Sequence, residues 1–191
     1  MKIGVIQASS QIEKNTILYE CTKDYGEVIN FGCFEDEENY SYVEIALEIC
    51  LLISSQAVDF IVTGCSSGQG MMIACNSLPN LICGYLPTPQ DAYLFGRIND
   101  GNVASLPLGL NYGWAGEINL KATLQQLFEE PFGIGYPLKD AKRKQEDTKK
   151  IKDLNQLCKK DIIEFLNEID SSFINNCLLY TSDAADDRIS V

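Results

Sequence analysis

The sequence contains no histidine at all. That absence removes the Ser-His-Asp triad and the Cys-His pair from the available mechanisms. Any acid–base step must fall to Cys, Asp, Glu, Lys, Tyr or water. The eight cysteines, at 21, 33, 50, 65, 75, 83, 158 and 177, include no C-x-x-C pair. Zinc-finger spacing is therefore missing, and no metal site is expected. No apolar run is long enough to cross a bilayer. The most apolar stretch, Val43 to Val62, is broken by Glu44, Glu48, Ser54-Ser55-Gln56 and Asp59. No signal peptide precedes the first apolar segment, since Lys2 runs straight into Ile3-Gly4-Val5-Ile6. With unpaired cysteines, this predicts a reducing, cytoplasmic setting.

Basic charge is scarce too. Residues 1–138 hold five Lys and Arg (Lys2, Lys14, Lys23, Arg97, Lys121) against 16 Asp and Glu. Over the 191 residues the net charge is −12. An acidic body disfavours nucleic acid and anionic membranes as partners. A small anionic substrate would have to be held by local donors.

What remains is an ordinary globular mix, with 46% hydrophobic and 22% charged residues. Residues 2–6 read as a buried strand, and 12–24 as a helix. A second strand covers 28–31 and ends at Gly32. Glu35-Asp36-Glu37-Glu38 reads as a solvated turn. Apolar residues at 45, 46, 49, 52 and 53 give helical spacing over 42–55. A third strand (58–63) leads into the tight loop Gly64 to Gly70, and helix resumes over 71–76. Strand 81–85, helix 89–97, strand 103–106 and helix 114–128 complete the alternation. This rhythm predicts an α/β fold: a Rossmann-like, doubly wound, parallel five-stranded sheet with a C-terminal helical extension. The domain spans 1–137. Residues 138–170, which are rich in Lys, Asp, Glu and Gln, read as one amphipathic helix, broken early if at all. Residues 171–191 form a tail with no expected order. Within it, Leu178-Leu179-Tyr180-Thr181-Ser182-Asp183-Ala184-Ala185-Asp186-Asp187 resembles a translated sequencing adapter.

In a doubly wound sheet, ligands bind beyond the carboxyl ends of the strands. Gly64-Cys65-Ser66-Ser67-Gly68-Gln69-Gly70 lies at such an end and opens a helix. Its glycines let the backbone approach a ligand. Free N–H groups at the helix start favour negative charge and thiolate there. Cys65 can then act as a base beside donors that stabilise an oxyanion, which suits proton removal next to a carbonyl. Ser67 adds a hydroxyl for the same oxygen. Against this stands a buried, inert cysteine in a packing loop, the reading we assign to Cys50, Cys75 and Cys83. The loop lacks the Lys-Ser/Thr of a P-loop and follows the third strand, which argues against a nucleotide site. A second polar cluster, Asn99-Asp100-Gly101-Asn102, precedes the fifth strand. If the strands are ordered as usual, it lies beside the third loop. A plain Asx turn would also explain it.

Residues Val62 to Asn76 resemble the signature loop and helix of the ribose-5-phosphate isomerase type B and galactose-6-phosphate isomerase family. Asn99-Asp100-Gly101-Asn102-Val103 resembles that family's second motif. Lys2 to Ile6, Gly26 to Gly32 and Tyr42 to Ala46 fall in register with it. The resemblance covers about residues 1–137. It implies Rossmann-like dimers with active sites at the interface, which interconvert aldoses and ketoses through a cis-enediol without metal or other cofactor. By the same resemblance, Cys65 is the proton-moving base. Ser67 and the backbone from Ser66 through Gly68 and Gln69 to Gly70 form the enediolate cradle, and Asn99 binds a substrate hydroxyl.

The departures from the family pattern are informative. Ala8-Ser9 stand where the family has an Asp-His that binds the sugar ring and phosphate, so by position they are substrate-binding candidates. Ile98 replaces the ring-opening histidine, and Pro87 another histidine. The phosphate-binding arginines correspond to a stretch beginning Tyr136-Pro137-Leu138-Lys139. This pattern is similar to a divergent branch that isomerises a 4-deoxy-5-keto-uronate. That branch shares the look of Ser10-Gln11, Lys14-Asn15, Asp91-Ala92-Tyr93-Leu94, Gly113-Trp114 and Gly135-Tyr136-Pro137. Lys14, Arg97 and Lys139 are candidate carboxylate partners. Two other readings stay open: a sugar-phosphate isomerase, and a non-catalytic subunit that binds a sugar acid.

Overall fold

The structure is a computed structural model, and it describes residues 1–35 and 40–174. Residues 36–38 of the acidic turn and the tail segment 177–191 lie outside the described residues.

Five strands form one parallel sheet: β1 (Lys2–Ile6), β2 (Glu27–Gly32), β3 (Phe60–Cys65), β4 (Cys83–Tyr85) and β5 (Val103–Pro107). Their order is β2-β1-β3-β5-β4, and every pairing is parallel. Side chains of a strand alternate between faces, and both faces are covered. Ile61 and Val103 enter one apolar layer, with Ile45, Ile49, Met71 and Leu81. Phe60, Val62, Ala104 and Leu106 enter the other, with Leu18, Leu120, Leu124 and Leu127. The first layer seats α2 (Tyr42–Ser54) and α3 (Gln69–Asn76). The second seats α1 (Asn15–Thr22), α4 (Pro89–Leu94) and α5 (Gly116–Phe128). The doubly wound sheet read from the sequence is borne out.

Local chemistry sets the helix starts. Ser41 caps α2 in a reciprocal box with Glu44, which satisfies two otherwise orphaned donors. Thr88 caps α4, and Pro89 follows it. The helix read over 12–24 is shorter than expected. A 3-10 turn (Ser9–Lys14), kinked at Gln11, precedes α1. α1 starts at Asn15, whose side-chain amide donates to Gln7 Oε1 at 2.8 Å and to the Gly32 carbonyl at 3.1 Å.

The extension is two helices rather than one, α6 (Ala141–Cys158) and α7 (Ile162–Glu168). The break falls late, at 159–161. Lys159 is extended there, and its Nζ donates to the carbonyls of Leu78 and Leu81 at 2.7 and 3.2 Å. Asp161 caps the new helix by accepting from Ile163 N at 2.8 Å. Among the described residues no helix is long and apolar enough to cross a membrane.

Candidate active site

β3 runs two residues past the expected strand into the loop and ends on Cys65, which pairs with Pro107 of β5. The approach of β3 to β5 requires Gly64, since a Cβ there would lie 2.4 Å from the Leu106 carbonyl oxygen. The Cys65 carbonyl accepts from Leu108 N at 3.0 Å. Ser66 and Ser67 follow, and Gly68 closes the turn at φ +75°, a backbone region suited to glycine. A Cβ on Gly68 would also stand 2.8 Å from the Tyr85 ring. The Gly68 carbonyl is tied down by the buried Ser105 hydroxyl, which donates to it at 2.6 Å.

Helix α3 starts at Gln69. Met72 N bonds the Gly68 carbonyl, so the N–H groups of Gln69, Gly70 and Met71 have no acceptor within the helix. Ser67 Oγ accepts from Gln69 N at 3.3 Å. Gly70 sits against the Tyr42 ring. A hydroxyl, a helix start and the Cys65 thiol thus share one end of the sheet. The thiol is nearly buried, at 7% exposure. A ligand placed there would meet the thiol, the hydroxyl and backbone N–H donors together.

The other expected residues divide into three groups. Ala8 and Ser9 reach the same end of the sheet, where β1 stops beside β3. Their polar groups are already engaged: Ala8 N donates to the Gly64 carbonyl, and Ser9 Oγ donates to Cys33 Sγ and accepts from Tyr40 N at 2.7 Å. These bonds tie the β1 end to its neighbours. Asn99 does not sit beside the third loop within one chain. It lies four residues before β5, at the amino end of the sheet, whereas Cys65 stands level with the carboxyl end of β5. The reason is topological: in a parallel sheet, the segment leading into a strand and the segment leaving it occupy opposite edges.

Of the three cations considered for a carboxylate, Arg97 is fully buried. It donates to the Leu127 carbonyl at 2.8 Å and packs against the Tyr93 and Phe132 rings. Lys139 is exposed just before α6. Lys14 is near the carboxyl end, paired with Glu13 and lying 4.7 Å over the Tyr112 ring.

Residues that the sequence did not place in the site complete the surroundings. Gln11 Nε2 donates to Ser66 Oγ at 3.0 Å, and Ser10 Oγ lies 3.4 Å from the same oxygen. Gly109 N and Leu110 N both donate to the Ser66 carbonyl. The signal for Ser10 and Gln11 was present, since they follow β1 at the ligand-binding edge. The signal for 109–110 was not, because only the neighbouring position of β3 and β5 brings them in.

The family model described as ribose/galactose isomerase matches residues 3–151. A comparison with curated proteins found no match. Among solved structures, a 4-deoxy-L-threo-5-hexosulose-uronate ketol-isomerase complexed with a tartrate is similar, with 39% identity and a TM-score of 0.89. The match covers 93% of this chain and 86% of that one. A ribose-5-phosphate isomerase from Vibrio parahaemolyticus shows 32% identity and a TM-score of 0.90, over 96% of this chain and 91% of that one. A ribose 5-phosphate isomerase from Thermotoga maritima shows 25% identity and a TM-score of 0.58, over 76% of this chain and 97% of its own.

Proposed function

This chain belongs to the ribose/galactose isomerase family, and we propose that within it the protein isomerises a non-phosphorylated 4-deoxy-5-keto-uronate, with Cys65 as the base. The Cys65 thiolate takes the proton from the carbon next to the aldehyde. The C–H electron pair becomes the enediolate double bond, and the carbonyl pair moves onto oxygen. That oxygen is held by Ser67 and the N–H groups of Gly70 and Met71 at the start of α3. Return of the proton from Cys65 to the former aldehyde carbon, with proton transfer between the two oxygens, gives the ketose.

One observation carries the choice of substrate. The three segments around Cys65 in its own chain, 8–11, 66–70 and 108–112, contain no Lys, Arg or His. A phosphate taken out of water needs cationic donors. A uronate carboxylate also needs a cationic donor, but it carries one charge where a phosphate carries up to two, and Lys14, over the Tyr112 ring at this end of the sheet, is one such cation. A substrate that already carries an open carbonyl needs no ring-opening acid either. The 39% identity to a uronate ketol-isomerase supports the same choice.

The working unit in this reading is a cytoplasmic homodimer. Asn99, exposed at the amino end of one copy, serves the Cys65 site of the other, which resolves its separation from Cys65 within a chain.

The test is solvent exchange. The full chain and Cys65→Ala are incubated in deuterated water with a 4-deoxy-5-keto-uronate, and separately with ribose 5-phosphate, and followed by NMR. Deuterium entering the carbon beside the carbonyl of the uronate alone, and only with the unaltered protein, is the expected result. Exchange with ribose 5-phosphate alone would overturn the substrate, and equal exchange by Cys65→Ala would overturn the base.

A further inference from the structure

A cavity of about 260 Å³ lies at the carboxyl ends of β4 and β5, roofed by the loop before α5. It is separate from the Cys65 loop but shares a wall with it. Tyr85 faces the cavity on one side and would touch a Cβ on Gly68 on the other. Leu110, also on its wall, donates through its N–H to the Ser66 carbonyl at 2.6 Å.

The lining chemistry is unusual for an acidic protein, because it carries no charged side chain. Its polar groups are Tyr85, Thr88, Asn111, Tyr112, Asn119 and Thr123. They are phenols, hydroxyls and amides, which both donate and accept. Burial, reinforced by Glu117, pushes the Tyr112 phenol up from its ordinary range, so it remains a donor at neutral pH. Asn119 uses one N–H on the Pro87 carbonyl at 3.2 Å and keeps its own oxygen for another partner. Thr123 is 1% exposed, and its hydroxyl has no hydrogen-bond partner. Native interiors seldom leave such a group unpaired. Thr123 is on the cavity lining, where a ligand hydroxyl can supply the missing partner.

We propose that this cavity is a second binding site, for a single uncharged, hydroxyl-rich ring of the neutral monosaccharide class. Size sets the upper limit, since sites for drug-sized ligands run from about 300 Å³ upward. Charge sets the class, because an anion here would be desolvated with no cation on the lining. Two tyrosine rings among mixed donors and acceptors suit the apolar faces and hydroxyl edges of a sugar ring.

The probe is methyl β-D-glucopyranoside, whose locked acetal cannot open to a carbonyl and so cannot be a substrate at Cys65. Its charged counterpart is methyl β-D-glucuronide. Calorimetry is the readout, and the fluorescence of Trp114, the single tryptophan, 99% exposed on the loop before α5, is followed beside it. Expected are saturable binding of the glucoside, at least tenfold weaker binding of the glucuronide, and unchanged affinity in Cys65→Ala. Thr123→Val and Asn119→Leu should each weaken binding at least threefold. Asn119 is exposed, so its replacement does not endanger the fold. Absence of saturable binding, equal affinity for the two probes, or unchanged affinity in both cavity variants overturns the proposal. Binding lost in Cys65→Ala does so as well, because the probe would then occupy the catalytic loop. None of these readouts depends on turnover, so the proposal and the isomerase reading fail separately.

Discussion

Cys65 and Cys83 are equally hidden, each 7% exposed, and both border the same apolar layer, yet they stand at opposite ends of their strands. Cys83 opens the edge strand β4 and is packed with Cys50 and Cys75 in the layer between the sheet and helices α2 and α3. Burial there, with Cys75 beside it, pushes the Cys83 thiol well up, and burial pushes Cys50 up to about 11. Those thiols remain protonated at neutral pH and act as small apolar side chains. Cys65 closes its strand, four residues before a helix start whose first N–H groups have no acceptor within the helix. Exposure does not separate the two cysteines. What separates them is position along the strand, because the carboxyl edge of a parallel sheet is where backbone donors converge.

The sharpest way to break this contrast is paired substitution. Cys65→Ser should lower kcat/KM by about 10²–10⁴-fold, the usual range for a general base, with little change in Tm. Cys83→Ala should leave kcat/KM within about threefold and cost about 1–2 kcal/mol of stability. Equal kinetic losses in steady-state assays would erase the distinction. A second variant tests whether the loop backbone matters as much as the thiol. Gly68→Ala puts a side chain at φ +75°, 2.8 Å from the Tyr85 ring, and should cost about 2–4 kcal/mol in urea unfolding. A cost below 1 kcal/mol would show that the turn is soft.

The buried region has its own signature in alkali. The Cys50 thiol is raised in the folded state from 9.0 to about 11. Its contribution is therefore fully present below pH 9 and is lost as pH rises through 11. Between pH 8 and 11 the unaltered protein should lose roughly 2 kcal/mol more than Cys50→Ala, measured by unfolding at each pH. Parallel curves would remove Cys50 from the apolar layer. The smallest effect is expected at the join between the regions. Ser105→Ala deletes the 2.6 Å bond to the Gly68 carbonyl, which still accepts from Met72 N. A loss of about 1 kcal/mol and a few-fold drop in kcat are expected, and no change in either would make that bond incidental.

The alternation of strands and helices was legible because hydrophobic period switches cleanly between 2 and 3.6 along the chain. The loop from Gly64 to Gly70 was legible because three glycines and a cysteine after a β-branched run leave few other readings. Helix boundaries were less so. At the start of α1 the Asn15 amide bonds Gln7 and Gly32, and at the break at 159–161 Lys159 reaches carbonyls about eighty positions away. No local pattern carries contacts of that separation.

By itself, then, the sequence determined the layer architecture, the glycine-rich loop after the third strand and the exclusion of histidine chemistry, because these follow from residue type and near-neighbour spacing. Tertiary structure alone decided the rest. It buried Arg97, committed Ser9 to Cys33 and Tyr40, brought Gly109 and Leu110 onto Ser66, and set Asn99 at the far edge from Cys65. Each of these depends on which strands lie side by side and which edge a loop leaves from. The strand order β2-β1-β3-β5-β4 is a property of long-range packing, which linear spacing does not encode.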